Sequence, residues 1–131
     1  MSRNFGFRTT AADILVGLDL TGKTAVVTGG NAGLGFETCR ELARAGTRIF
    51  LCCRSQKLGE IDVQNIRAEA PTADVILHFS DLSDLHQVQQ SADALLSECP
   101  HIDMVICNAG IMALPDLQRT PQGFEMQSGV N

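Results

Sequence analysis

The 131-residue sequence contains no tyrosine and no tryptophan, and its six aromatic residues are all phenylalanine. No phenolic hydroxyl within these residues can therefore give or take a proton. Excess basic charge is missing too: 10 Lys and Arg stand against 15 Asp and Glu, a formal charge of −5. Without a basic footprint, no nucleic-acid partner is expected. The five cysteines, Cys39, Cys52, Cys53, Cys99 and Cys107, are odd in number, lack C-x-x-C spacing and mostly sit in apolar segments. Thiols so placed pack as small hydrophobes, which points to a reducing compartment. Residues 1–13 carry Arg3 and Arg8 but no continuous apolar stretch, and no run approaches the length that spans a bilayer. A soluble, cytoplasmic protein with no transmembrane segment is expected. His78, His86 and His101 have neither ligand spacing nor a partnering cysteine pair, so no metal site is expected.

What is present is a repeated alternation of apolar runs and amphipathic segments. Residues 1–20 read as an arm, with Thr9 or Thr10 capping a short helix through Ala11, Ile14 and Leu15 that stops at Gly17. Strand one, about Thr24–Thr28, is apolar without alternation, as suits a parallel strand covered on both faces. The turn Gly29-Gly30-Asn31-Ala32-Gly33-Leu34-Gly35 follows, then a helix over residues 33–45 with Leu34, Cys39, Leu42 and Ala43 as its stripe and Glu37, Arg40, Glu41 and Arg44 mostly opposite. Residues 49–53 form strand two, and Ser55 caps a helix over about residues 56–69. Residues 75–79 form strand three. The next helix carries Leu85, Val88, Ala92, Leu95 and Leu96, and residues 102–107 form strand four. Short connections and right-handed crossovers imply a parallel sheet in the order 3-2-1-4, the first half of an α/β, Rossmann-like doubly wound fold. Residues 1–20 are thus an arm and residues 21–131 a partial nucleotide-binding domain.

In such sheets ligands bind at the carboxyl ends of the strands, where the order reverses. The glycine turn lies there and reads as a phosphate cradle, because glycine allows positive φ and close approach and a helix N-terminus attracts anions. By itself such a turn also serves as a plain strand–helix connection. Its spacing, Gly29, Gly33, Gly35, departs from the usual dinucleotide fingerprint and lacks the Gly-Lys-Ser/Thr ending of a nucleoside-triphosphate loop, so phosphotransfer is disfavoured. An acid at the end of strand two would bind the ribose hydroxyls of NAD, whereas arginine accommodates a 2′-phosphate. Cys53 and Arg54 occupy that end, which favours NADP(H) over NAD(H). The vicinal Cys52 and Cys53 point to opposite faces of a buried strand, so core packing is favoured over redox chemistry.

The run TGGNAGLG, the DLS at residues 81–83 and the CNAG at residues 107–110 together resemble the short-chain dehydrogenase/reductase family. DLTGK before strand one, LCCR at strand two and GFEMQSGVN at the end resemble its retinol-dehydrogenase and WW-domain-oxidoreductase-like branch. The resemblance spans about residues 18–131. It implies that Gly29, Gly33 and Gly35, with Leu34 in the same turn and Asn31 beside it, hold the pyrophosphate, and that Arg54 holds the 2′-phosphate. It assigns Asp81 and the Leu82 backbone to the adenine, and Asn108, Ala109 and Gly110 to the segment beside the cofactor ribose. Asn131 matches the active-site asparagine that holds a water in the proton relay.

The implied activity is an NADP(H)-dependent oxidoreductase passing hydride between nicotinamide and a small-molecule alcohol or carbonyl, with Ile111, Met112, Ala113 and Leu114 hinting at an apolar pocket wall. The family's serine, tyrosine and lysine follow its asparagine, and this sequence has no tyrosine, so the chain is expected to supply the cofactor-binding half and to be inactive and poorly stable alone. The full-length protein has room to be a homo-oligomer. The competing expectation is a truncated, non-catalytic module that binds a nucleotide or a partner.

Overall fold

The computed structural model describes residues 4–131; residues 1–3, which begin the arm and include Arg3, lie outside the described residues. In chain order the elements are α1 (Ala11–Leu15), β1 (Thr24–Thr28), α2 (Gly33–Arg44), β2 (Arg48–Cys53), α3 (Gln56–Glu69), β3 (Val75–Phe79), α4 (Leu85–Glu98), β4 (Met104–Ile106) and α5 (Met126–Val130). The strands form one parallel sheet in the order β3-β2-β1-β4, as the sequence pattern predicts.

Period-two alternation divides each strand between two layers. Ala25 and Val27 of β1, Ile49, Leu51 and Cys53 of β2, and Val75 of β3 face α2 and α3 and build the larger core with Cys39, Leu42, Val63 and Ile66. Val26, Phe50 and Cys52 face the other way, onto Leu95 and Cys99 at the end of α4. Cys52 and Cys53 thus point to opposite faces. Burial pushes the Cys39 and Cys52 thiols up to about 12, which leaves them protonated packing groups at neutral pH. The close seat of α3 depends on Gly59, where a Cβ would sit 2.7 Å from Cys53 Sγ and collide with the Leu77 side chain.

The arm is tied to this core. The Thr10 hydroxyl accepts the Asp13 N–H at 3.2 Å while the Asp13 carboxylate accepts the Thr10 N–H at 2.9 Å, a reciprocal cap on α1. Leu15 and Leu20 pack on the larger cluster, and the Leu20 N–H donates to the Ala45 carbonyl at 2.7 Å. A second tie joins β1 to the entry of β4. The Asp103 carboxylate accepts Lys23 Nζ and the Thr24 N–H, each at 2.9 Å. These bonds, the Lys23 one foremost, hold the carboxyl down at about 2.

Four expectations are corrected. Leu34 is 82% exposed at the start of α2, so it belongs to no core stripe. Glu41, expected on the outer side, is buried, and its carboxylate is satisfied by Arg44 at 2.7 Å and Arg40 at 3.2 Å, as a buried charge requires. The apolar stripe of α4 buries only Leu95, while Leu85 and Leu96 are about half exposed. The ladder of β4 is also three residues long rather than six, and Val105, beside Val26 in register, faces outward without a helix over it.

Candidate cofactor cleft

The carboxyl ends of all four strands open onto one cleft of about 670 Å³. Of the residues singled out in the sequence, Gly29, Asn31, Arg54, Asp81, Leu82, Asn108, Ala109 and Gly110 line it. They come from four separate strand ends, brought together by the parallel register. Ile111 and Leu114 also line it, whereas Met112 is 83% exposed elsewhere and Ala113 takes a left-handed φ of 57°. Gly33, Leu34, Gly35 and Asn131 stand outside the lining.

The turn between β1 and α2 is built for close approach. Gly29 has φ +62°, and a Cβ there would come within 3.0 Å of Ala109 Cα. Gly35 sits behind the turn, where a Cβ would collide with the Gly29 carbonyl oxygen and Asn108 Nδ2; its contact is with the protein's own backbone. Gly33 takes φ +50° in open space. At α2 the N-cap is Ala32, with no side-chain cap, whereas Ser55 and Asp84 cap α3 and α4. The first N–H groups of α2 are therefore left without a side-chain acceptor, the arrangement that attracts an anion.

Two residues of the same motif, to which the sequence assigned no individual role, hold this geometry. The Thr28 hydroxyl accepts the N–H groups of Asn108 at 3.1 Å and Ala109 at 3.0 Å. Asn108 Nδ2 returns the contact, donating to the carbonyls of Thr28 at 3.0 Å and Gly29 at 3.2 Å. A hydroxyl at the carboxyl end of an apolar strand is the only local signal for Thr28; its partners lie eighty residues on. Gly30 is the other, since a Cβ there would meet Leu51 Cγ at 2.8 Å.

At the end of β2, Cys53 turns inward, its Sγ donating to the Ser55 carbonyl at 3.2 Å. Arg54 is exposed on the cleft and makes none of the ion pairs that engage Arg40, Arg44 and Arg48. Neither of the residues that close this strand end, Cys53 and Arg54, is an acid, and the nearby carboxylate of Asp62 on α3 acts on the Cys53 thiol. After β3, Asp81 Oδ1 accepts the Ser83 N–H at 2.9 Å and the Ser83 hydroxyl at 2.7 Å, which fixes the turn that lines the cleft. Asn131 grips a neighbouring loop: its Oδ1 accepts the Ile111 N–H at 2.8 Å and its Nδ2 donates to the Ile111 carbonyl at 2.9 Å. Each side-chain group of Asn131 thus makes one bond to backbone. His78 serves packing, its Nε2 within 2.9 Å of Ser91 Oγ and its ring edge-on to Phe50. No helix among the described residues is long and apolar enough to cross a membrane.

The chain is similar in sequence and fold to known proteins. Human retinol dehydrogenase 11 is 40% identical over 114 residues, covering 87% of this chain and 36% of that protein. The WW domain-containing oxidoreductase of Drosophila melanogaster is 40% identical over 125 residues, covering 94% of this chain and 30% of the other. The chain therefore spans about a third of the length of these relatives. Among solved structures, an uncharacterised protein from Mycobacterium paratuberculosis superimposes with a TM-score of 0.76 at 36% identity, covering 89% of this chain and 40% of that one. An NADP complex of Pseudomonas aeruginosa RhlG superimposes at 0.65 and 29% identity, covering 72% and 37%. The short chain dehydrogenase pattern matches residues 23–128, and with the sheet order and the strand-end cleft already in place, the chain belongs to the short-chain dehydrogenase family.

Proposed function

We propose that this chain supplies the NADP(H)-binding half of an oxidoreductase that transfers hydride between nicotinamide and a lipophilic alcohol or carbonyl. The observation that carries the reading is the end of β2, where Arg54, exposed and without an ion pair among the described residues, lines the cleft at the position where an acid would bind ribose hydroxyls. An acid there would repel a 2′-phosphate, whereas a guanidinium binds it with charge-assisted hydrogen bonds.

The remaining residues fit a dinucleotide. The cleft volume of about 670 Å³ falls within the roughly 300–1,000 Å³ of cofactor pockets. Gly29 lets the pyrophosphate approach the backbone, and the uncapped start of α2 offers it N–H donors. The turn at Asp81 and Leu82 would hold the adenine, and Asn108, Ala109 and Gly110, braced by Thr28, would lie beside the cofactor ribose. When bound, nicotinamide supplies or accepts the hydride. Asn131 holds the loop at Ile111 with one N–H and one lone pair of its carboxamide, which leaves its second N–H and second lone pair for a relay water. Ile111 and Leu114 provide the apolar wall that suits a lipophilic substrate. The names of the retinol dehydrogenases and the NADP complex of RhlG support the same reading.

The test is a titration of NADPH and NADH against the protein and its Arg54→Ala variant. A charge-assisted bond of about 1.5–3 kcal/mol predicts a loss of roughly ten- to hundredfold for NADPH and little for NADH. Equal losses overturn the preference for NADP(H), and binding of neither nucleotide overturns the cofactor reading itself.

A further inference from the structure

We propose that Gln122 is a positioning residue of the cleft: its carboxamide ties two walls together and sets their spacing for a dinucleotide, an inference that rests on the cofactor reading above. One wall is the turn after β3, where Asp81, Leu82 and Ser83 face the cleft. A second wall presents Gln118 and Met126, with Val130 beyond them. Residues 118–126 fold back on themselves to form it. The Thr120 N–H donates to the Phe124 carbonyl and the Met126 N–H to the Gln118 carbonyl, both at 2.9 Å, and Arg119 Nη1 donates to the Gly123 carbonyl at 2.9 Å. Gln122 stands at the tip, before Gly123 with φ +87°.

From that tip the side chain reaches the start of α4. Nε2 donates to Asp84 Oδ1 at 2.8 Å, and Oε1 accepts the Leu85 N–H at 3.3 Å. Asp84 is the N-cap of α4 and also accepts the His86 N–H at 3.0 Å. A backbone N–H can only donate and an ionised carboxylate can only accept, so the pair dictates which way the carboxamide points. It also satisfies one of the orphan donors of the helix. Asp84 is bonded in sequence to Ser83, so the clasp acts directly on the first wall. Among the described residues, these are the hydrogen bonds that join residues 118–126 to the turn after β3. Beyond that segment, Asn131 at the end of α5 holds Ile111 of the loop after β4. Two side-chain amides, those of Gln122 and Asn131, therefore tie residues 118–131 to neighbouring segments, one after β3 and one after β4. Holding both walls before a ligand arrives lowers the ordering cost of binding.

Gln122→Glu tests this with almost no change of shape. The acceptor for the Leu85 N–H is kept, but a second carboxylate now faces Asp84. NADPH affinity, read by the fluorescence of the bound nucleotide, is expected to fall on the order of tenfold. Adding Asp84→Ser to Gln122→Glu supplies a hydroxyl that can accept the His86 N–H and donate to the new carboxylate, and affinity is expected to return to within roughly threefold of the parent. Wild-type affinity in the single variant overturns the proposal. So does a loss that persists in the double variant and follows a lowered thermal midpoint, which is the mark of a merely structural residue. Amide exchange at Leu85 and residues 118–126 separates the two readings. If the parent protein binds neither NADPH nor NADH, the cofactor reading fails. Faster exchange in Gln122→Glu, restored in the double variant, then still supports the clasp, and unchanged exchange overturns it.

Discussion

Gly33 and Gly35 lie two positions apart in the same turn, yet an added methyl group meets different obstacles at each. At Gly35 it collides with the Gly29 carbonyl oxygen and with Asn108 Nδ2, atoms anchored by β1 and by the hydrogen bonds between Asn108 and the carbonyls of Thr28 and Gly29. Neither can yield without parting the turn from the end of β4. Gly35→Ala is expected to cost about 3 kcal/mol, the upper range for overpacking a close contact, and to abolish nucleotide binding. At Gly33 nothing lies within 4 Å, and the obstacle is the left-handed φ of +50° alone. Gly33→Ala is expected to cost about 1 kcal/mol. Urea unfolding of the two variants measures the difference, and equal losses would show that backbone conformation, not close approach, fixes Gly35. The glycine spacing in the sequence marks both positions as special but cannot separate these causes, because the colliding atom of Asn108 is distant in the chain.

At the scale of elements, Asp103 decides how firmly β4 is joined to β1. Its folded pKa of about 2 lies below the ordinary value of 3.8. Between those values the unfolded chain binds a proton that the folded chain does not, so stability rises with pH. The contribution of Asp103 is complete above about pH 4 and is lost as pH falls through 2. Asp103→Asn is expected to flatten this part of the acid-unfolding curve followed by circular dichroism; an unchanged slope would mean that the bonds to Lys23 and Thr24 are not held in solution. Some slope will remain, since hydrogen bonds also lower Asp13, Asp84 and Glu125. The elements themselves were largely legible. The limits of β1 and β3, the Ser55 cap and the sheet order follow from apolar run length, turn residues and crossover handedness. Burial was less legible. The expected stripe of α4 is mostly exposed because periodicity shows that a face is apolar, not that a partner covers it. Glu41 was misplaced because its buried pairing depends on Arg40 and Arg44 converging from the same helix. Gln122 gave no local signal, since its partners are more than thirty residues earlier.

At the scale of the whole molecule the two faces of the sheet are unequal. Helices α2 and α3 cover one face and bury its core completely, while α4 alone lies on the other, burying Leu95 and leaving Leu85 and Leu96 about half exposed. Beside it Val105 is 63% exposed on β4, a strand at the end of the sheet order whose outer backbone groups meet no neighbouring strand among the described residues. Parallel sheets are ordinarily covered on both faces, and an apolar edge offers a template for pairing with another chain. The 131-residue polypeptide expressed by itself is therefore expected to self-associate through this face and edge, with an apparent mass in sedimentation velocity that rises with concentration. Val105→Lys places a charge on the exposed face without touching the buried core, so it should suppress association while shifting stability by no more than about 0.5 kcal/mol. A polypeptide that stays monomeric at all concentrations, or association that Val105→Lys leaves unchanged, would show that this face is not what holds copies together. The same polypeptide is expected to turn over no NADPH, because its 131 residues include no tyrosine whose phenol could give or take the proton. Nucleotide binding and turnover should therefore separate cleanly in it, the first following Arg54 and the cleft and the second remaining absent.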